Sequence, residues 1–228
     1  MVRVYERVMG LAVADRCVVA TDDREVRAVC EQYNVPVMLT AATHPSGTDR
    51  VAEVARALMA GTTSVILNVQ GDEPFVAADA VAGAVAIVRS GRADIGTAAA
   101  KADASILRRP DVVKVVCTDQ GRALYFSRAP IPFLRDTGDV TRQASLVRQH
   151  VGVYAYTPDA LATWVKLPTH PLELCERLEQ LRPLAHGLSI GVADATCADG
   201  GIDTEADLIQ ANERWSRMTP EPTSLRDT

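Results

Sequence analysis

The chain has 228 residues, of which 47% are hydrophobic, and this length is sufficient for one well-buried α/β core. Its formal net charge is −5 at pH 7, and aromatic residues make up only 4% of it. The sequence therefore lacks both the basic field and the stacking surface that nucleic-acid-binding proteins usually carry, and we expect no nucleic-acid partner.

Helical and strand patterns alternate along the first hundred residues. Helices are predicted over residues 2–12, 23–34, from the loop at 41–50 to Ala60, and 77–89. Strands are predicted over residues 16–23, 35–40, 64–70 and 94–101. The apolar residues of "SVILNVQ" are nearly continuous rather than alternating, which is typical of a strand with helices on both faces of its sheet.

The second half of the chain adds a hairpin to this alternation. Residues 112–131 read as two strands joined by a turn at Asp119, Gln120 and Gly121, so antiparallel strands are expected here. The remaining elements are a strand at 149–157, a short helix after Pro158, a strand at 188–196 and a helix at 203–218. A longer helix is predicted over 171–186, with one side formed by Leu172, Cys175, Leu178 and Leu181.

These repeated strand–helix units predict a three-layer α/β fold with a doubly wound, mixed but mostly parallel sheet. No internal repeat or linker divides the chain, so we expect one domain over residues 1–217 and a disordered tail over 218–228. In such folds ligands bind beyond the carboxyl ends of the strands.

One such strand end carries "NVQGDEPF", residues 68–75. Gly71 permits a sharp turn or a close approach to a ligand, and Asp72 emerges from a rigid strand that fixes its position. The alternative is that these acids are ordinary solvated loop residues, and for an isolated D-E-P sequence that alternative is favoured.

A second turn with acids lies in "ADGGIDTEADL", residues 198–208, where Asp203 begins the last helix. Taken alone, Asp203 is better explained as a helix cap than as a metal ligand. Taken with Asp72 it is more interesting, because one or two carboxylates, completed by water and phosphate oxygens, are the usual ligands of Mg²⁺. A nucleotide-dependent enzyme would need such a site.

The loop "THPSGTDRVAEVA" is the third candidate element. Ser46 and Gly47 lead into a helix whose first N–H groups are free to bind a base, a ribose or a phosphate. Capping of the same helix by Ser46 or Thr48 is an equally good explanation. Neither G-x-x-x-x-G-K-[ST] nor G-x-G-x-x-G is present, which removes the main support for a P-loop or a Rossmann cofactor site.

Seven segments together resemble the 3-deoxy-D-manno-octulosonate cytidylyltransferases, the CMP-Kdo synthetases. They are "HPSGTDR", "NVQGDEPF", "VVKVV", "ALYFSRAPIPF", "HVGVYAY", "LELCERLEQLR" and "GGIDTEADL". The resemblance runs in order from the first helix to about residue 213. It implies a nucleotide-diphospho-sugar transferase-like fold and a homodimer that joins CMP from CTP to a 3-deoxy-2-ulosonic acid, releasing pyrophosphate with Mg²⁺.

The resemblance also implies roles for residues that match these motifs. Asp72 and Asp203 would be the catalytic Mg²⁺ ligands, and the cytidine side would be contacted by Ser46, Gly47 and Arg50. The sugar-acid pocket would be formed by Gln70, Arg128, His150, Tyr154, Glu179 and Gln180.

Physical reasoning supports these roles but leaves alternatives open. The guanidinium of Arg128 suits a carboxylate, yet a surface ion pair is an equally ordinary use of it. His150 and Tyr154 are four apart on a predicted strand and share a face, although a histidine and a tyrosine satisfied by neighbouring backbone would have the same spacing. Glu179 and Gln180, expected on one helix, require a ligand near that helix's edge.

The sequence departs from this family at its start. Family members begin with a strand and a loop resembling "PARxxSxRLPGKxL" that grips the triphosphate, whereas this sequence begins after that loop, at "VRVYERV". The first strand of a doubly wound sheet is central, so we expect two unpaired strand edges and a gap. The alternative to an active enzyme is a non-catalytic homologue that binds sugar and metal or forms a dimer.

Cysteine usage and hydropathy predict a cytoplasmic protein. The five cysteines are scattered without a C-x-x-C pair, which is typical of reduced thiols. Charged residues interrupt the apolar residues of segment 1–17, so it has no signal-peptide core. The apolar stretch at 76–88 is broken by Asp79 and is too short to span a bilayer, so no membrane partner is expected.

Overall fold

The computed structural model describes residues 1–58, 65–133, 135, 144–202 and 204–218. Its helices are α1 Val2–Gly10, α2 Arg24–Gln32, α3 Gly47–Leu58, α4 Ala78–Arg89, α5 Pro158–Trp164, α6 Pro171–Glu176, α7 Leu181–Ala185 and α8 Glu205–Met218, with a 3₁₀ helix at Ala104–Arg108. Its strands are β1 Val19–Thr21, β2 Val37–Leu39, β3 Ile66–Val69, β4 Ile95–Lys101, β5 Lys114–Cys117, β6 Ala123–Ser127, β7 Arg148–Tyr156 and β8 Ile190–Ala195. The predicted alternation of strands and helices is confirmed.

The main sheet is organised around β7, the longest strand. It pairs antiparallel with β3, β4 and β5, while β8 pairs parallel with β4 and β6 pairs antiparallel with β5. It follows that β3, β4, β5 and β8 all run in one direction, with β7 between them in the opposite one. The predicted mixed, mostly parallel sheet is confirmed, as is the hairpin, whose turn has Gly121 at φ 75°.

Helices cover both faces of this sheet. On one face α4 packs on β4 and β7 through residues that include Val81 and Ala84. On the other face Leu161 and Trp164 of α5 pack against Tyr156 of β7. The three layers predicted from the sequence are therefore present, and the carboxyl end of β3 lies at their edge.

The layer formed by α4 approaches the sheet unusually closely at Gly96 of β4. A Cβ atom at Gly96 would lie 2.0 Å from the carbonyl oxygen of Ala84 in α4. Because the obstacle is backbone, no side-chain rotation relieves it. Glycine at this position therefore sets the spacing between helix and sheet.

The predicted single helix over 171–186 is wrong. Helix α6 ends at Glu176. The next residue, Arg177, adopts the left-handed conformation with φ 55°, and α7 begins at Leu181. Arg182 Nε donates to Glu173 Oε2 at 2.7 Å in a buried ion pair. Nine residues on one helix span about 13.5 Å, so this ion pair requires the chain to fold back. Leu172 is consequently 40% exposed, whereas Leu178 and Leu181 are buried.

Strands β1 and β2 form a separate two-stranded parallel sheet. In the described part of the chain β1 pairs only with β2, and β3 pairs only with β7. A cavity of about 620 Å³ separates the facing edges of β1 and β3. This arrangement agrees with the two unpaired edges and the gap expected from the sequence.

Some predictions fall outside the described ranges. Helix α3 is described to Leu58, Asp203 is not described, and of the tail only Met218, the last residue of α8, is described. Among the helices that are described, none is both long and apolar enough to cross a membrane.

The substitution Gly96→Ala should destabilise the protein by at least about 2 kcal/mol, because the added methyl group collides with the backbone of α4. Urea unfolding followed by circular dichroism would measure the loss. Gly10→Ala is the matched control, since a Cβ there has nothing within 4 Å. Equal stability of the two variants would contradict the assigned helix–sheet contact.

Candidate active site at the carboxyl end of β3

The loop after β3 is a tight turn packed on β7. The N–H of Glu73 donates to the carbonyl oxygen of Gln70 at 3.2 Å. A Cβ at Gly152 of β7 would lie 3.3 Å from both Gln70 Cγ and Glu73 Oε1. The glycine in β7 thus lets the Gln70 side chain lie directly on the strand, two residues from His150.

Asp72 lies at the tip of this turn and meets the loop that precedes α8. The N–H of Ile202 donates to the backbone carbonyl oxygen of Asp72 at 3.0 Å. A Cβ at Gly201 would lie 2.4 Å from Asp72 Oδ2, so only glycine allows the backbone to come this near the carboxylate. The two acid-bearing turns are therefore in contact, although Asp203 itself lies outside the described residues.

The first turn of α3 is held by Glu179. One carboxylate oxygen of Glu179 accepts from the Gly47 N–H at 3.3 Å, and the other accepts from the Thr48 hydroxyl at 2.8 Å and the Thr48 N–H at 3.4 Å. A carboxylate at this end of a helix satisfies N–H groups that have no partner within the helix. Glu179 therefore joins the predicted nucleotide side to the predicted sugar side.

Ser46 and Arg50 have internal partners of their own. The Ser46 hydroxyl donates to Asp49 Oδ2 at 2.6 Å and accepts from the Asp49 N–H at 3.3 Å, the pattern of a helix cap. Arg50 Nη1 donates to the Thr40 hydroxyl at 2.5 Å, and Nη2 lies 3.1 Å from Asp22 Oδ2. This hydrogen bond lowers the pKa of Asp22. Arg50 thus ties the ends of β1 and β2 to α3.

His150 and Tyr154 share one face of β7, as their spacing predicts, with ring centroids 5.4 Å apart. The hydroxyl of Thr97 donates to the carbonyl oxygen of Val153 at 2.7 Å, so its 3.0 Å contact with His150 Nε2 requires that nitrogen to be the donor. Loss of hydration lowers the pKa of His150 to about 4. The ring is therefore neutral at pH 7, with Nδ1 as its acceptor.

Arg128 is held by the end of α6 rather than by an exposed ion pair. Its N–H donates to Glu176 Oε2 and its Nε to the Glu176 carbonyl oxygen, both at 2.9 Å. Its Nη1 donates to the carbonyl oxygens of Pro110 and Asp111 at 3.0 and 3.3 Å. Within the described ranges Nη2 has no hydrogen-bond partner, so one edge of the guanidinium remains for an anionic ligand.

A buried ammonium group supports the same region. Lys114 is completely buried, and its Nζ donates to the carbonyl oxygens of Arg109, Val112 and Arg128 at 2.9, 2.7 and 2.6 Å. Burial lowers the pKa of Lys114, but these three acceptors use all three donors of the charged form. Lys114 thereby joins segment 109–112 to Arg128.

Gln180 and Glu179 lie in the turn between α6 and α7, not on one long helix as the sequence pattern suggested. Gln180 is 5% exposed, and Glu179 is partly buried. Burial raises the pKa of the Tyr154 hydroxyl, and the charges of Tyr156 and Glu179 add to that effect. The turn therefore lies beside the aromatic side chains of β7.

Three residues that organise the site were missed from the sequence: Thr97, Lys114 and Glu176. Lys114 offered one signal, because a lone cation inside the apolar run "VVKVV" has to find acceptors if that strand is buried. The others offered none, since their partners are distant in sequence. Among the described residues no group of three His, Cys, Asp or Glu side chains is arranged to hold a metal.

Acid should destabilise the protein through His150. Its pKa of about 4 lies below the unfolded value near 6.5, so its contribution to stability is complete above pH 6.5 and is lost as the pH falls towards 4. The loss in free energy of unfolding between pH 7 and pH 4 should be about 3 kcal/mol larger for the natural protein than for His150→Gln. Urea unfolding at each pH would measure it.

His186→Gln is the control for this experiment, because it removes an exposed imidazole and should retain the natural protein's pH dependence. A His150→Gln protein with the same pH dependence as the natural one would show that the ring is not held neutral.

Comparisons with known proteins agree with this geometry. The family model described as "Cytidylyltransferase" matches residues 1–190. The chain is 64% identical over 215 residues to a 3-deoxy-manno-octulosonate cytidylyltransferase of Gemmatimonas aurantiaca, covering 94% of this chain and 83% of that protein. It is 44% identical over 223 residues to the protein of that name from Herminiimonas arsenicoxydans, covering 95% and 88%.

A solved structure shows the same fold. It is a CMP:2-keto-3-deoxy-manno-octonic acid synthetase complexed with CTP, with a TM-score of 0.84 and 31% sequence identity. The match covers 95% of this chain and 87% of that one. From the family model, the identities and this structure, the chain belongs to the cytidylyltransferase family.

Proposed function

We propose that the protein transfers the cytidylyl group of CTP to 3-deoxy-D-manno-octulosonate or a close 3-deoxy-2-ulosonic acid. The anomeric hydroxyl oxygen attacks the α-phosphorus of CTP, the bond from that phosphorus to the bridging oxygen breaks, and pyrophosphate leaves while the hydroxyl proton passes to solvent. The names of the two close relatives and of the CTP-bound structure support this reaction. The product would enter lipopolysaccharide biosynthesis.

The observation that carries the proposal is the contact of Glu179 with the first turn of α3. It holds Gly47, proposed for the nucleotide, next to the turn that bears Gln180, proposed for the sugar. Holding two substrates at a fixed separation is the main requirement of a reaction that needs positioning and charge neutralisation.

The remaining substrate contacts follow from the same geometry. Gln70, His150 and Tyr154 lie along β7, where an amide, a neutral imidazole and a hydroxyl suit sugar hydroxyl groups. The unused edge of the Arg128 guanidinium suits the substrate carboxylate. Arg50 lies on the nucleotide side and, with Gly47, lines the cavity between β1 and β3.

Magnesium fits the residues at Asp72. Asp72 is exposed, and its backbone carbonyl oxygen accepts a hydrogen bond from Ile202 in the loop that precedes α8. Asp72 and Asp203 would hold the ion, which when bound neutralises charge on the phosphate oxygens.

Asp72→Asn should lower Mg²⁺-dependent pyrophosphate release from CTP and 3-deoxy-D-manno-octulosonate by at least about 100-fold, because an amide is a poorer ligand for a hard cation. Asp119→Asn, in the exposed hairpin turn, is the matched control and should remain as active as the natural chain. Circular dichroism should show an unchanged fold in both.

The outcomes of that assay separate two ideas. Full turnover by Asp72→Asn would contradict the metal assignment. No turnover by the natural chain with this or related ulosonic acids would favour a second candidate, a non-catalytic sugar-binding homologue. The observation behind that candidate is the cavity between β1 and β3, which is lined by Gly47 and Arg50, the residues proposed for the nucleotide. A cavity of about 620 Å³ at this place would leave the nucleotide with few contacts.

We infer in addition that the protein is a cytoplasmic homodimer. Large apolar side chains are exposed at Leu124, Phe133 and Leu146, with exposed fractions of 58%, 80% and 53%, and a subunit interface would cover such residues. Sedimentation should give twice the 24.5 kDa mass of one chain; a mass of one chain at micromolar concentration would contradict the dimer.

A further inference from the structure

We propose that Arg214 and Phe75 are positioning residues for the proposed magnesium site. The guanidinium of Arg214, in α8, lies over the ring of Phe75, which follows Asp72 by three residues in the loop after β3. This contact fixes the loop that bears Asp72 against the loop that precedes α8. Its effect on magnesium rests on the proposed function, whereas the contact between the two loops is independent of it.

Phe75 is buried where the loop after β3 meets α8. It is 9% exposed, and its ring centroid lies 6.0 Å from that of Trp215. The Cζ atom of Arg214 lies 4.0 Å from the centroid of the Phe75 ring. The negative face of an aromatic ring attracts a guanidinium at this distance, and the planar shape of the guanidinium suits stacking. Two consecutive residues of α8 thus lie against one ring.

Arg214 also holds the loop that precedes α8. Its Nη2 donates to Asp199 Oδ2 at 3.0 Å. A partly exposed ion pair contributes little by itself, but this guanidinium contacts Phe75 at the same time. The N–H of Ile202 in the same loop donates to the carbonyl oxygen of Asp72 at 3.0 Å. Arg214 therefore adds a second connection between the two loops.

Helix α8 depends on such contacts because it buries little surface. All of its residues are described, and none of them is buried. The residues of intermediate exposure are Asp207, Ala211, Arg214 and Trp215. Their spacing places them on one face of the helix, and that face contains only two apolar side chains. A segment with so few buried apolar contacts opens at low cost unless polar contacts hold it.

Helix α1 supports the same junction from the other side. Its Arg7 Nε donates to the carbonyl oxygen of Val76 at 3.0 Å, and the Cζ atom of Arg3 lies 5.0 Å from the Trp215 ring centroid. Helix α1 is itself anchored in the protein by two buried valines. Removal of the Arg214 side chain should therefore release α8 and the loop that precedes it, while the loop after β3 stays in place.

Magnesium is sensitive to such a release because its proposed ligands lie on both loops. Asp203 follows Ile202 directly in the sequence, and Mg²⁺ requires nearly ideal octahedral geometry. Residues that support ligands without touching the ion keep those ligands at the required separation. Once the ion is bound, the reacting groups have the same arrangement. Loss of Arg214 should thus raise the Mg²⁺ requirement more than it lowers kcat.

The main test is Arg214→Met, which keeps a long side chain and removes the guanidinium. Amide hydrogen exchange of Ile202, followed by NMR without CTP, sugar or Mg²⁺, should become at least about threefold faster. The Mg²⁺ concentration for half-maximal pyrophosphate release should rise about threefold to tenfold, while kcat at saturating Mg²⁺ should fall less than about twofold. Arg217→Met, at an exposed position of the same helix, is the matched control and should change none of these values.

A second variant tests whether Arg214 acts through the ring. Phe75→Leu removes the aromatic face and should also accelerate exchange at Ile202. The double variant should exchange no faster than the faster single variant, because both substitutions remove the same contact. Exchange at the amides of Val153 and Ala155 in β7 reports whether each variant is folded. If Phe75→Leu does not fold, Arg214→Met decides alone.

Three results would overturn the proposal. One is unchanged exchange at Ile202 in Arg214→Met. Another is an equal acceleration in Arg217→Met. The third is a loss of kcat at saturating Mg²⁺ as large as the change in Mg²⁺ requirement. If the natural chain releases no pyrophosphate, the proposed function fails, and exchange at Ile202 still decides whether Arg214 holds the two loops together.

Discussion

The candidate site depends on the hydrogen bonds between the carboxylate of Glu179 and the first turn of α3. The N–H groups of Gly47 and Thr48 have no acceptor within their own helix, and the positive end of α3 favours a negative charge there. One side chain therefore satisfies the helix and fixes its distance from the turn between α6 and α7. That turn also carries the buried Gln180. The contact therefore fixes the distance between the residues proposed for the nucleotide and those proposed for the sugar.

A second group of polar contacts makes the Arg128 side of the site rigid. The ammonium of Lys114 and the carboxylate of Glu176 bind backbone groups and the Ser127 hydroxyl around Arg128. Charges as poorly hydrated as that of Lys114 are stable only when their hydrogen bonds are complete. The guanidinium is thus oriented by interactions that leave one of its edges for a ligand.

The sequence by itself determined the order of the elements, the three layers and the strand ends at which the candidate residues lie, because hydrophobic periodicity and turn residues are local signals. Its pattern also placed His150 and Tyr154 on one face of β7, since that depends only on the repeat of a strand. It failed at 171–186, where the ion pair of Glu173 and Arg182 folds the chain back. Only the tertiary structure decided that break, the contact of Gly201 with Asp72 and the burial of Lys114, because each joins groups whose proximity depends on how whole layers pack.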